Sequence, residues 1–100
     1  MKEIFDNLSS DISKLCTITY STSFSLGIRI LDKKYRTPIY NIYGFVRFAD
    51  EIVDSFHDFD KVKLLKQFKA DTHKAIEDKI SLNPILNAFQ KTANEFGIEK

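Results

Sequence analysis

The sequence predicts an all-α fold of about four to five helices, and three observations carry that expectation. Glycine and proline are scarce, three and two in 100 residues, and the long intervals between them suit helices joined by short turns. Apolar residues recur at spacings of three and four over much of the chain, the period of a helix with one buried face. Residues suited to helix ends stand between the periodic stretches: Asp58 and Asp60 before one, Asn83-Pro84 before another, Gly97 after the last. A hydrophobic fraction of 43%, with nine Phe and four Tyr, excludes a disordered chain and supplies the bulk of one interior. At this length a single domain is the ceiling.

In order, Lys2 to Cys16 places Ile4, Leu8, Ile12 and Leu15 on one stripe of an amphipathic helix, the side expected to pack inward. Thr17 to Ser25 is rich in β-branched and hydroxyl residues, and local propensity leaves it open between a strand and a helix entry. From Ser23 onward Phe24, Leu26, Ile28, Ile30 and Leu31 fit either period, and only the helices expected on both sides favour a helix. Asp32 is placed to cap a long helix that runs to about Ser55, with Pro38 inside its first two turns, where a proline costs least. His57 to Asp60 reads as a turn, with Asp58 or Asp60 capping a helix over Val62, Leu65, Phe68, Thr72, Ala75 and Ile76. Its lysines, Lys61, Lys63, Lys66, Lys69 and Lys74, alternate with acids, the pattern of a solvated outer face on which His73 also falls. Pro84 opens a last helix with Leu86, Phe89, Ala93 and Phe96 inward. Tyr20, Tyr35 and Phe45 read as core residues, and His57 as a surface residue in its turn.

Net charge is +1 with acids and bases interspersed, which argues against the one-signed field of a nucleic-acid binder. The single Cys16 has no partner for an internal disulfide and no metal-ligand spacing to either histidine, so a reducing, cytoplasmic setting fits best. Residues 1–10 lack the apolar run of a secretion signal, and no stretch approaches the ~20 apolar residues of a membrane span.

The chemistry concentrates in Tyr43-Gly44-Phe45-Val46-Arg47-Phe48-Ala49-Asp50-Glu51-Ile52-Val53-Asp54. At ~100° per residue, Tyr43, Arg47, Asp50 and Asp54 fall within roughly 60° of one another, and Arg36 and Tyr40 extend the stripe backwards. Ile42, Phe45, Val46, Phe48, Ala49, Ile52 and Val53 occupy the rest of the circumference, so this helix is expected to be buried nearly all round. Charges in such a setting cost several kcal/mol unless paired or bound to a metal, so the stripe is expected to face a cavity with a charged occupant. Two carboxylates one turn apart suit Mg2+, which takes oxygen ligands and is commonly held by one or two carboxylates plus substrate phosphates. Arg47 can form an ion pair in the stripe or reach a phosphate oxygen. By itself the D-x-x-x-D spacing is common on solvated helices; its apolar surroundings set this one apart.

Two motifs in register resemble the squalene and phytoene synthases, all-helical enzymes that join two prenyl diphosphates head to head. Ser21-Thr22-Ser23-Phe24 is similar to that family's S-x-S-F segment, and Tyr43 to Asp54 to its Y-A-x-C-R-x-x-D-D-x-x-D segment. The resemblance implies the N-terminal part of the isoprenoid synthase fold. It implies that Asp50 and Asp54 hold Mg2+, with Mn2+ as an alternative, against a substrate diphosphate, and that Arg47 contacts the diphosphate. Tyr43 would line the cavity near the reacting carbons, while Ser21, Ser23 and Phe24 would close over the diphosphate and prenyl tail. Phe24 has an equal reading as core packing, and the two serines as helix caps. Departures from the family pattern fall at Gly44, Val46 and Glu51, commonly Ala, Cys and Asp; Gly44 costs about 1 kcal/mol in a helix but permits a close neighbour.

The implied reaction is condensation of two geranylgeranyl diphosphates to phytoene, with a squalene or dehydrosqualene synthase using farnesyl diphosphate as the near alternative. A non-catalytic helical assembly protein of the same fold is the distant one. A prenyl diphosphate is the implied partner, with peripheral association at the inner face of the membrane for release of the lipid product. The family's second aspartate-rich helix has no counterpart between Asp58 and Lys100, so residues 1–100 are expected to be a single partial domain, an N-terminal portion that is inactive on its own.

Overall fold

Five α-helices follow one another as α1 (Lys2–Tyr20), α2 (Thr22–Ile28), α3 (Lys33–Ser55), α4 (Lys61–Asp78) and α5 (Pro84–Phe96). The structure, a computed structural model, describes residues 2–56 and 58–97, with the backbone alone at Thr22 and Phe24, and among these residues there is no strand. His57, expected at the surface, lies outside the described residues. The stretch that propensity left open is helical: Ser21 stands between α1 and α2, yet its amide donates to the Thr17 carbonyl and its carbonyl accepts from Ser25, so the helical bonding carries across the break.

The helix ends follow from their residues. The Asp60 carboxylate accepts from the Lys63 amide, and the Asn83 side chain from the amides of Ile85 and Leu86, satisfying donors that a helix start leaves unpaired. Pro84 takes the first position of α5, where its missing N–H costs nothing. Gly97 closes that helix at φ +65°, where a side chain would be strained, and donates to the Ala93 carbonyl. Asp32 departs from expectation: it occupies the N-cap position of α3, but its side chain makes no capping bond. At the other end of α3 the Lys61 ammonium donates to the Val53 carbonyl at 2.6 Å, a cation on the negative end of the helix.

α5 is the central helix, packed against α1, α3 and α4. Ile85, Leu86, Asn87, Ala88, Gln90, Thr92 and Ala93 are all buried, so it has little free circumference. On its α3 and α4 side, Leu86 packs with Ile52, Phe68 and Ala75, flanked by Phe45, Ala49, Phe56 and Leu65. The Phe45 ring stacks on Phe89 at 3.9 Å and on Phe68 at 5.4 Å between centroids, as expected of a core residue.

The α1 side is built differently. The buried row of α1 is Ser9, Ser13 and Thr17, each fully inaccessible, while Ile4, Leu8 and Leu15, the stripe expected to pack inward, are exposed. Backbone proximity decides this. A Cβ placed on Gly44 would meet the Cα, Cβ and O of Ser13 at 3.1 Å, so α1 and α3 touch at a distance only small residues allow. The Ser9 hydroxyl donates to the Phe5 carbonyl at 2.8 Å and Thr17 to Ser13 at 2.9 Å, bonds within the helix that offset the cost of burying them. Asn87 completes the seam: its amide donates to Asp6 at 2.9 Å and Ser9 at 3.1 Å, and its oxygen accepts from Ser81 N and Gln90, so all four of its bonding positions are used. Asn41 donates to Thr92 across the α3–α5 contact at 3.0 Å.

Other core expectations fail at the periphery. Tyr20, Tyr35, Val62 and Phe96 are exposed, each in the first or last turn of its helix. Tyr35 instead lies under the Lys34 ammonium at 5.0 Å. His73, expected at the surface, is half-buried on α4.

Candidate functional site

The charged stripe occupies the second half of α3. Expected to be buried nearly all round, that half is covered only along the side where Gly44 and Ile52 meet α1, α4 and α5; Val46, Phe48 and Val53 are exposed. Asp50 is exposed and the Asp54 side chain is 65% accessible, so neither carboxylate has been taken out of water. The cost that seemed to demand a charged occupant is therefore small, and what remains is an outward-facing array with room for ligands.

Arg47 is its most constrained member. Its Nη2 donates to Glu51 Oε2 at 3.0 Å, one turn on, and its Nη1 lies 3.9 Å from Asp54 Oδ2. The guanidinium also lies over the Tyr20 ring, 4.4 Å from the centroid, an arrangement in which the ring face attracts the cation. Partial burial, followed by the charge and hydrogen-bonding influence of nearby Glu51, holds the Tyr20 phenol above the ordinary tyrosine value. Cys16, one turn before Tyr20, points its thiol at the Gly44 carbonyl, 3.9 Å away. Burial pushes that thiol up, with Arg47 pulling against it and Glu51 adding to it, so it stays protonated at neutral pH and is a poor nucleophile.

Neither Tyr20 nor Glu51 stood among the residues expected in the site. A signal for Glu51 was available, since it follows Arg47 by four on a helix. For Tyr20 the only hint was its place next to Ser21.

The remaining expected residues are placed as follows. Tyr43 is half-buried on α3 one turn before Arg47, Ser21 is half-buried in the α1–α2 break, and Ser23 is exposed on α2. The Phe24 side chain lies outside the described residues. Ser25, buried on α2, brings its Oγ within 3.5 Å of the Tyr40 hydroxyl. Residues flanking the first motif thus reach α3: Tyr20 lies against Arg47, and Ser25 meets Tyr40. A separate cleft between α4 and the turn at 80–83, lined by Asp71, Lys74, Leu82 and Leu86 among others, contains none of these residues.

Among the described residues no group of three or more His, Cys, Asp or Glu is arranged to hold a metal ion. Asp50 and Asp54 alone offer hard oxygen donors one turn apart, their Cβ atoms ~5–6 Å from each other, a set that fits a cation keeping most of its waters. Glu51 is engaged by Arg47. With three carboxylates against one guanidinium, the stripe is net negative and would repel a diphosphate until a cation binds.

A family model described as squalene/phytoene synthase matches residues 18–100, which takes in both motifs and every helix after α1. The chain belongs to the squalene/phytoene synthase family. No curated protein and no solved structure matches it. The family is of prenyltransferase type and its substrates are prenyl diphosphates joined head to head. The five helices, without a strand among the described residues, agree with the all-α isoprenoid synthase fold. Within this squalene/phytoene synthase chain the match begins at Ile18, so Ser9 and Ser13 of the α1 seam precede it. No helix of the described residues is long and apolar enough to cross a membrane.

Proposed function

We propose that Asp50 and Asp54 hold a divalent cation, Mg2+ or Mn2+, against the diphosphate of a prenyl diphosphate, and that Arg47 donates to the same diphosphate. The observation that carries this reading is the pair of solvent-facing carboxylates one turn apart, beside an arginine that has donors to spare. Of the five N–H groups of Arg47, one is hydrogen-bonded among the described residues, so the rest are available to phosphate oxygens. When bound, the cation neutralises charge on the departing diphosphate. Tyr43, half-buried beside Arg47, offers its ring face to the allylic cation left behind, and Ser21, Ser23 and Phe24 lie on the segment that covers the substrate.

The reaction we assign to the full-length protein is condensation of two geranylgeranyl diphosphates to phytoene, with residues 1–100 as its N-terminal portion and a second carboxylate pair supplied from elsewhere in the protein. Peripheral contact with the membrane would let the lipid product leave. Product analysis of the full-length protein with each substrate tests the assignment. Phytoene from geranylgeranyl diphosphate supports it; a hydrocarbon formed only from farnesyl diphosphate moves the protein to the squalene type. If Asp50→Asn and Asp54→Asn leave cation-dependent diphosphate binding unchanged, the catalytic reading yields to that of a helical assembly protein.

A further inference from the structure

We infer that Tyr20 and Glu51 are positioning residues for Arg47, which they hold as a two-sided clamp with its free donors turned to the ligand; the inference rests on the diphosphate reading above. A lone arginine on a helix surface samples many rotamers, and ordering it costs side-chain entropy. Here two faces of that freedom are removed. The Tyr20 ring covers one face of the guanidinium at 4.4 Å, and Glu51 fixes one edge at 3.0 Å. Asp54, at 3.9 Å and 65% exposed, sits beyond hydrogen-bond distance and remains available for a cation.

The arrangement also links the second motif to the residue just before the first. Tyr20 is the last residue of α1, and Ser21 follows it in the break before α2, so the residue that roofs Arg47 directly precedes the segment assigned to cover the substrate. Glu51 reaches back one turn to Arg47 at 3.0 Å, while Asp54 stays at 3.9 Å and Asp50 has no partner among the described residues. Partial desolvation strengthens the clamp, since the Arg47 and Glu51 side chains are only 24% and 22% accessible.

The test uses the full-length protein with Mg2+ and inorganic pyrophosphate as the probe, binding followed by calorimetry. Arg47→Ala should abolish measurable binding. Tyr20→Leu and Glu51→Gln should each weaken it roughly tenfold, and Tyr20→Phe, which keeps the ring, by no more than about threefold. Thermal midpoints should barely change, because Tyr20 is 47% exposed, whereas a merely structural role would move the midpoint and not the affinity. Ultraviolet titration supplies a readout without ligand: in Glu51→Gln the Tyr20 phenol should ionise at lower pH than in the wild type. Binding lost in Arg47→Ala but unchanged in both Tyr20→Leu and Glu51→Gln overturns the clamp while leaving the diphosphate reading intact. A wild-type full-length protein that ignores Mg2+ and pyrophosphate together overturns both.

Discussion

The molecule contains two concentrations of polar side chains that a sequence pattern does not distinguish, and they are organised in opposite ways. Between α1, α3 and α5 most of the buried polar groups consume one another's bonding capacity: Asn87 serves Asp6, Ser9, Ser81 and Gln90, and the Asn41 amide donates to Thr92, while the Ser13 hydroxyl and the Asn41 oxygen have no partner among the described residues. Along the second half of α3 the carboxylates face solvent, and only Arg47 and Glu51 are closely paired. Among the described residues Asp50 has no hydrogen-bond or ion-pair partner. Polarity that is satisfied internally specifies packing, because any removal strands a buried partner. Polarity left unsatisfied at the surface contributes little to stability and keeps its capacity for a ligand.

That contrast can be tested from its strongest consequence to its weakest. In the apolar core on the other side of α5, Leu86 is 1% accessible, and Leu86→Ala should cost about 2–5 kcal/mol, read as a large loss in urea midpoint or outright failure to fold. Gly44→Leu drives a branched side chain into Ser13 at the α1–α3 contact and should cost about 1–3 kcal/mol or more, partly recovered by Ser13→Gly. Failure of that recovery would locate the cost in α3 itself. Asn87→Ala leaves Ser9 and Ser81 N short of a partner and should destabilise by about 1–3 kcal/mol, a midpoint loss on the order of 10 °C.

Across the divide, Asp50→Asn and Asp54→Asn should each stay within about 0.5 kcal/mol of wild-type stability while removing Mg2+-dependent pyrophosphate binding. A stability loss as large as that of Asn87→Ala would erase the distinction between the two regions. The smallest effect is a pH dependence. Burial alone would raise the Asp6 carboxyl, but the Asn87 hydrogen bond and the Lys2 ammonium outweigh it and hold it below its ordinary value. Because the folded value is the lower one, this contribution is present above about pH 4 and disappears as pH falls through the folded value. Comparing thermal midpoints of wild type and Asp6→Asn should therefore show the difference shrinking in acid.

Much of the fold was readable in advance. Asp60, Asn83, Pro84 and Gly97 mark ends that the structure keeps, because capping depends on bonds within a few residues. The long helix to Ser55 was readable from its apolar spacing, although Asp32 makes no capping bond. The inward face of α1 was not: hydrophobic periodicity chose Ile4, Leu8 and Leu15, while contact with Gly44 and Asn87 chose Ser9, Ser13 and Thr17. At the site, the spacing of Arg47, Asp50 and Asp54 identified the stripe but misjudged its setting, since apolar neighbours along a helix do not ensure that another element covers them.

By itself the sequence determined the helices, their ends, and the alignment of Tyr43, Arg47, Asp50 and Asp54, all consequences of a backbone that turns ~100° per residue. It also carried the two motifs that mark the squalene/phytoene synthase family. The tertiary structure alone decided that small hydroxyl residues form the α1 seam, that Asp50 and Asp54 face water, and that Tyr20 and Glu51 hold Arg47 between them. Those outcomes depend on how closely separate backbones approach, a distance set by Gly44 against Ser13 that no periodicity within either helix encodes.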